Sequence, residues 1–131
     1  NLYVADFIGS PSMNFLNGEL KDTKFINGSL ELPMGSYQFI KKTNLKNVTI
    51  GIRPEHIITG ELSKKAPVIT NVTINLVEPM GSDTLVYANL SDVQIRIRME
   101  ANAKVKIGDR LEIGIDPSRA SLFDTQTEQR I

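Results

Sequence analysis

Residues Val93–Glu100 read VQIRIRME, and this stretch decides the fold. Val93, Ile95, Ile97 and Met99 alternate with Gln94, Arg96, Arg98 and Glu100. Side chains of an extended chain point to opposite faces at every step, so the pattern predicts a strand with one buried and one wet face. Working outward, the same period recurs. Val48, Ile50 and Ile52 alternate with Thr49 and Gly51, and Val72, Ile74 and Leu76 with Thr73 and Asn75. Leu111, Ile113 and Ile115 repeat it. Leu30 with Leu32, and Tyr37 with Phe39 and Ile40, predict two weaker strands about a turn at residues 33–36. Turn residues separate the runs at Asn27-Gly28, Met80-Gly81-Ser82-Asp83, Gly108-Asp109 and Asp116-Pro117. A strand over residues 104–107 is expected to reverse at Gly108.

One helix is predicted. Val4, Phe7 and Ile8 stand at i, i+3 and i+4, and Gly9-Ser10-Pro11 ends the run. Many short strands with almost no helix point to an all-β fold built as a small barrel. Residues 63–67, SKKAP, read as a seam between two halves, and the polar tail after Phe123 reads as loosely held.

Composition narrows the function classes. The chain has 131 residues, enough for one domain or two small subdomains with a core of their own. It has no Cys, which removes disulfides and thiolate metal sites. Fifteen Lys and Arg balance fifteen Asp and Glu, so no net field draws it to nucleic acid or anionic lipid. Arg96 and Arg98 lack an aromatic two residues away on their own strand, which argues against a base-stacking groove. No apolar run approaches the roughly 20 residues that span a bilayer. A G-x-x-x-x-G-K-[ST] loop is absent, so the chain offers nothing of that kind to nucleotide phosphates.

Four strings carry a family resemblance: NLYVADFIGSPSMNFLNG at residues 1–18, GIRPEHI at 51–57, VEPMGSDTLVYANL at 77–90 and SRASLFDTQTEQRI at 118–131. Together they resemble the C-terminal regulatory region of ATP-binding subunits from sugar-type ABC importers, the family of the maltose importer's ATPase. The resemblance implies an OB-type barrel with a second, smaller β subdomain and a short N-terminal helix. Residues 1–16 would then connect from an ATPase domain, and residues 17–131 would form the regulatory region. Asn1 stands where an initiator Met would, and the chain is expected to come from a longer subunit.

The resemblance also implies that ATP and magnesium belong to the ATPase domain, with no cofactor here and no catalysis. Implied partners are a second copy, the subunit's own ATPase domain, the membrane subunits indirectly, and a cytoplasmic regulator. The implied location is the cytoplasmic side of the inner membrane. One departure stands out: Glu128 follows Thr127 where the family commonly has Gly.

Candidate residues follow from residue chemistry. His56 is the sole His, with a pKa suited to proton transfer, but no nucleophile motif or second His accompanies it. Arg53-Pro54-Glu55-His56 therefore reads as a rigid turn whose charges tie it to backbone or to a partner. Glu78 and Asp83 bracket the loop of Gly81 and Ser82; acid–base work or a hard cation competes here with plain turn chemistry and a contact rim. Gly9, Pro11 and Asn14 read as a helix stop that would serve as a hinge and docking element. The alternative function that the resemblance implies, from related transport-associated domains in oxyanion importers, is small-oxyanion binding, with Gly81, Ser82 and Thr84 as donors.

Overall fold

A computed structural model describes residues 13–39 and 46–131. The expected N-terminal helix, with Gly9 and Pro11, lies outside the described residues. Among those described, the all-β expectation holds: strands form two antiparallel sheets, and helix is confined to short 3-10 turns at Pro54–His56, Gly60–Lys65 and Pro117–Arg119. The chain divides into two units, residues 1–53 with 117–131, and residues 54–116. Residues 63–67, read above as a seam, lie inside the second unit.

The first unit holds β1 (Asn14–Lys21), β2 (Lys24–Asn27), β3 (Leu30–Pro33), β4 (Asn47–Ile52) and β9 (Ser121–Asp124), in the sheet order β3-β2-β1-β4-β9. Its core gathers Leu16, Phe25, Leu32, Ile50 and Leu122, all fully buried. β1 turns into β2 through Asp22 and Thr23, both at positive φ (51° and 64°). That is the twist a two-residue hairpin needs, achieved here without glycine. β4 departs from its expected single buried face, because Thr49 and Gly51 are buried too. Met13 and Phe15 cover Gly51, leaving no room for a Cβ, while Phe15 meets the Phe123 ring edge-on at 6.1 Å. The Thr49 hydroxyl is satisfied by Asn17 Oδ1 at 2.7 Å and Thr125 Oγ1 at 3.1 Å. A buried polar group so paired costs little.

Two further expectations fail in this unit. Tyr37 and Phe39 form no strand; the Tyr37 N–H instead closes a turn onto the Met34 carbonyl at 3.1 Å. The tail is firmly held. Ile131 is fully buried, and its N–H donates to the Leu122 carbonyl at 2.8 Å. The Tyr37 hydroxyl donates to the Ile131 carbonyl at 2.7 Å and accepts from the Leu122 N–H at 3.0 Å. Polarity misled because the bonds that hold Ile131 use its backbone groups, which residue type does not reveal. Glu128 keeps the turn geometry of the expected Gly: its φ is +61° and its N–H donates to the Asp124 carbonyl at 2.8 Å.

The second unit holds β5 (Val68–Pro79), β6 (Asp83–Leu90), β7 (Val93–Glu100) and β8 (Arg110–Ile115), ordered β7-β6-β5-β8. Its core is Val72, Ile74, Val86, Ala88, Ile95, Ile97, Ile113 and Ile115. Leu76 breaks the expected alternation and is 44% exposed. The cause is a bulge: Ile74 pairs with Ala88 but Leu76 with Tyr87, so Asn75 is an extra residue and the inward face passes on. Residues 104–107 are not a strand. They are a loop pinned at that bulge, where Gly108 (φ +92°) donates to the Ile74 carbonyl and the Ile74 N–H to Asp109. Backbone capture by a bulge has no signature in side-chain periodicity.

Ile58 and Gly114 exchange two hydrogen bonds, at 2.9 and 2.8 Å, near the unit's two ends. A Cβ on Gly114 would lie 2.5 Å from Ala66 Cβ and 3.1 Å from the Ser63 carbonyl. Gly114→Val should therefore lower stability by about 1–3 kcal/mol in denaturant unfolding, since neither neighbour is a flexible tip. Glu128→Gly should raise it by about 0.5–1 kcal/mol, because the left-handed backbone costs a side chain more than glycine loses in chain entropy.

Candidate interaction surface

The outward side chains of β5, β6 and β7 form rows set by strand register. Leu76 pairs with Tyr87, which pairs with Arg96; Glu78 pairs with Leu85, which pairs with Arg98. Leu76 is exposed and Leu85 and Tyr87 are half-buried, so an apolar strip runs between carboxylate and guanidinium groups. The Tyr87 hydroxyl donates to Glu78 Oε1 at 3.1 Å, and Arg98 Nε lies 3.1 Å from Asp83 Oδ2. Sequence inspection missed this pairing of Tyr87 with Arg96, because it searched along one strand. The signal was the equal spacing of two alternating runs about the Ser91-Asp92 turn.

The rim loop lies at one end of this face. Glu78 stands next to last in β5, Gly81 turns the chain at φ +92°, and the Met80 N–H donates to the Asp83 carbonyl at 2.8 Å. Nothing lies within 4 Å of a Cβ built on Gly81, so glycine is present for its backbone angle. Met80 is 58% exposed and Ser82 is exposed, extending the strip to the loop tip. Thr84, weighed above as an anion donor, is 3% exposed and its hydroxyl donates to the Ala101 carbonyl at 3.3 Å. It is spent on the fold.

The Arg53–His56 residues lie elsewhere. Pro54 is buried at the first position of its 3-10 turn, which packs against β7, while Arg53 and Glu55 are exposed and His56 is half-buried. Ile57, 4% exposed, anchors the turn from the other side. Asn14 is buried at the head of β1, paired with Ile52. Among the described residues no three His, Cys, Asp or Glu side chains gather closely enough to hold a metal ion. Among the described residues, each positive-φ glycine sits in its own turn and is followed by Ser29, Glu61, Ser82 or Asp109, never by Lys. That does not fit a cradle for nucleotide phosphates.

Two antiparallel sheets with little helix fit an OB-type fold, and the family patterns say which one. The pattern described as MalK OB fold domain matches residues 9–57, and the one described as TOBE domain matches residues 50–123, more than half of the chain. The chain belongs to the TOBE domain family. It is 36% identical to the sulfoquinovosyl glycerol transport ATP-binding protein SmoE of Agrobacterium fabrum, over 100% of this chain and 37% of that protein. It is 33% identical to the oligosaccharides import ATP-binding protein MsmX of Bacillus subtilis, over 100% and 38%. The sn-glycerol-3-phosphate import ATP-binding protein UgpC of Psychromonas ingrahamii is also 33% identical, over 100% and 35%. The chain thus spans a little over a third of the length of these relatives. The crystal structure of the molybdate-binding protein ModG shares the fold, with a TM-score of 0.61 at 14% identity over 83% of this chain and 94% of that one.

The Glu78 contact predicts a titration. Its hydrogen bond, with some burial and the carboxylate's charge, raises the Tyr87 pKa above the usual tyrosine value, while Arg96 pulls the other way. The carboxylate holds the phenol's proton, so ionisation is deferred to higher pH. Glu78→Gln should move the Tyr87 transition, followed by its ring NMR shifts, down toward the usual value; an unmoved transition means the contact is absent.

Proposed function

We propose that this chain is the regulatory, dimer-supporting C-terminal domain of an ATP-binding subunit in an ABC-type sugar importer. The observation that carries this reading is the strip of exposed Leu76 and half-buried Leu85 and Tyr87, set between Glu78 and the two Arg residues. Membership in the TOBE family and the names of the relatives support it. On this reading the domain serves ATP-driven carbohydrate uptake without reacting. ATP and magnesium belong to the ATPase domain that it accompanies. A second copy is its first partner; its own ATPase domain, the membrane subunits indirectly, and a cytoplasmic regulator are the others. The complex lies on the cytoplasmic side of the inner membrane, and no helix among the described residues is long and apolar enough to cross one.

The physical logic is effective concentration. A contact that persists while the ATPase domains part makes each reclosing intramolecular, at millimolar effective concentration for a short tether. The strip suits this task because its apolar centre gives affinity, and its alternating charges fix register. The rim loop and the Arg53–Glu55 turn supply further exposed polar groups for contact.

Sedimentation equilibrium across a concentration series tests the reading. The chain should self-associate, and Leu76→Asp with Leu85→Asp should weaken that association at least about tenfold, since a charge buried in an interface costs several kcal/mol. The self-association of this isolated chain is expected to be weak, so the series extends to about 1 mM; a chain still monomeric there, or association indifferent to both changes, overturns the reading. Calorimetry showing micromolar ATP affinity overturns it independently.

A further inference from the structure

The first unit carries a concave pocket of about 510 Å³, lined by Ser36, Tyr37, Gln38, Ser118, Ala120 and Arg130. Backbone bonds fix its walls. The turn from Met34 to Tyr37 presents Ser36, and the Pro117–Arg119 turn, closed by the Ala120 N–H on the Pro117 carbonyl at 3.1 Å, presents Ser118. Arg130 is held between Gln129, whose carbonyl accepts from Asp124, and Ile131, whose N–H donates to Leu122, each at 2.8 Å. The Tyr37 ring is immobilised by its two hydroxyl bonds and by an edge-on contact with Phe39 at 4.9 Å.

The lining selects a ligand class. The volume falls in the range of small-molecule sites, roughly 300–1,000 Å³. Arg130 brings a permanent cation with a five-donor fork, and none of the described lining residues is acidic. Among the described residues no carboxylate stands within ion-pair distance of Arg130. Ser36 and Gln38, both exposed, offer a hydroxyl and an amide that donate and accept. A cation alone would take any anion; neutral hydrogen-bonding groups beside a fixed aromatic wall suit a body that alternates hydroxyls with apolar C–H faces. We propose that this pocket binds a small hydroxylated anion of the sugar-phosphate class, with Arg130 on the phosphate and Ser36 and Gln38 on the hydroxyls. The site shares no residue with the β5–β7 face, so its failure leaves the dimer reading untouched.

Amide NMR titration of the 131-residue chain tests it, with glucose phosphorylated on its primary hydroxyl, unmodified glucose and inorganic phosphate as probes. The hexose phosphate should give saturable shifts at residues 36–38, 118–120 and 130, and glucose should bind at least about tenfold more weakly for want of the charge-assisted bonds. Arg130→Gln, which keeps the backbone bridge to Phe123, should raise the Kd of the hexose phosphate about tenfold or more. Ser36→Ala, at an exposed turn position, should raise it about threefold with dispersion unchanged. Absence of shifts up to about 10 mM, a range that captures even weak sites, overturns the proposal. So do shifts confined to residues 80–84, binding indifferent to both changes, or inorganic phosphate binding as tightly as the hexose phosphate.

Discussion

The two hydrogen bonds between Ile58 and Gly114 are the constraint on which the architecture rests. The first unit is discontinuous: the chain leaves it after Arg53 and re-enters at Pro117. Bringing β9 back onto β4 means closing an excursion of the whole second unit, and loop closure costs entropy that rises with length. The Ile58–Gly114 bridge joins the second unit's backbone close to both of its ends, so once that unit folds the effective loop is short. This is why glycine stands at position 114. The Ala66 methyl and the Ser63 carbonyl press against the bridge, and a side chain there would part the strands. Ser63 is itself pinned, its hydroxyl donating to the Gly60 carbonyl at 2.7 Å and reaching Glu112 at 3.3 Å.

At the other end of the excursion, Tyr37 completes the first unit. A single hydroxyl bridges Leu122 and Ile131, 85 and 94 residues further along the chain than Tyr37, and ties the tail to the sheet. Burial of Leu122, Phe123 and Ile131 then gives the returning segment its hold, each large apolar side chain contributing about 1.5–3 kcal/mol when fully buried. A tail rich in Thr, Gln and Glu is thus ordered by three apolar anchors and by main-chain groups.

What the sequence made legible was the set of half-buried strands. VQIRIRME folds as its alternation requires, with Ile95 and Ile97 fully buried, because one face meets the core and the other meets water. Legibility failed where backbone rather than side chain decided. The bulge at Asn75 turned Leu76 outward, β4 was covered on both faces, and Asp22-Thr23 made a hairpin turn that ordinarily calls for Asn-Gly. The site divided in the same way. Glu78, Gly81 and Ser82 could be grouped because one loop carries them all, but Tyr87 opposite Arg96 needed the register of two strands. The pocket around Arg130 needed turns from three distant segments, and no local spacing announces that.

The polar contacts of the β5–β7 face explain why it can stay exposed. The Asp83–Arg98 pair and the Glu78–Tyr87 bond lie at the surface, where water screens such interactions and they add little to stability. Their effect is on orientation. They hold carboxylate and guanidinium groups upright beside Leu76 and Leu85, which keeps water close to the apolar strip and discourages indiscriminate sticking. A face built this way binds weakly when alone, because ordering its few side chains and losing free rotation offset much of what burial gives. It becomes decisive when a second contact already holds the partners together, for then the translational cost has been met elsewhere. On the proposed reading the membrane subunits supply that second contact, holding two copies near each other whether the ATPase domains are closed or parted. A weak, oriented strip then suits its place: it keeps the pair aligned as the ATPase domains part and yields when they rearrange.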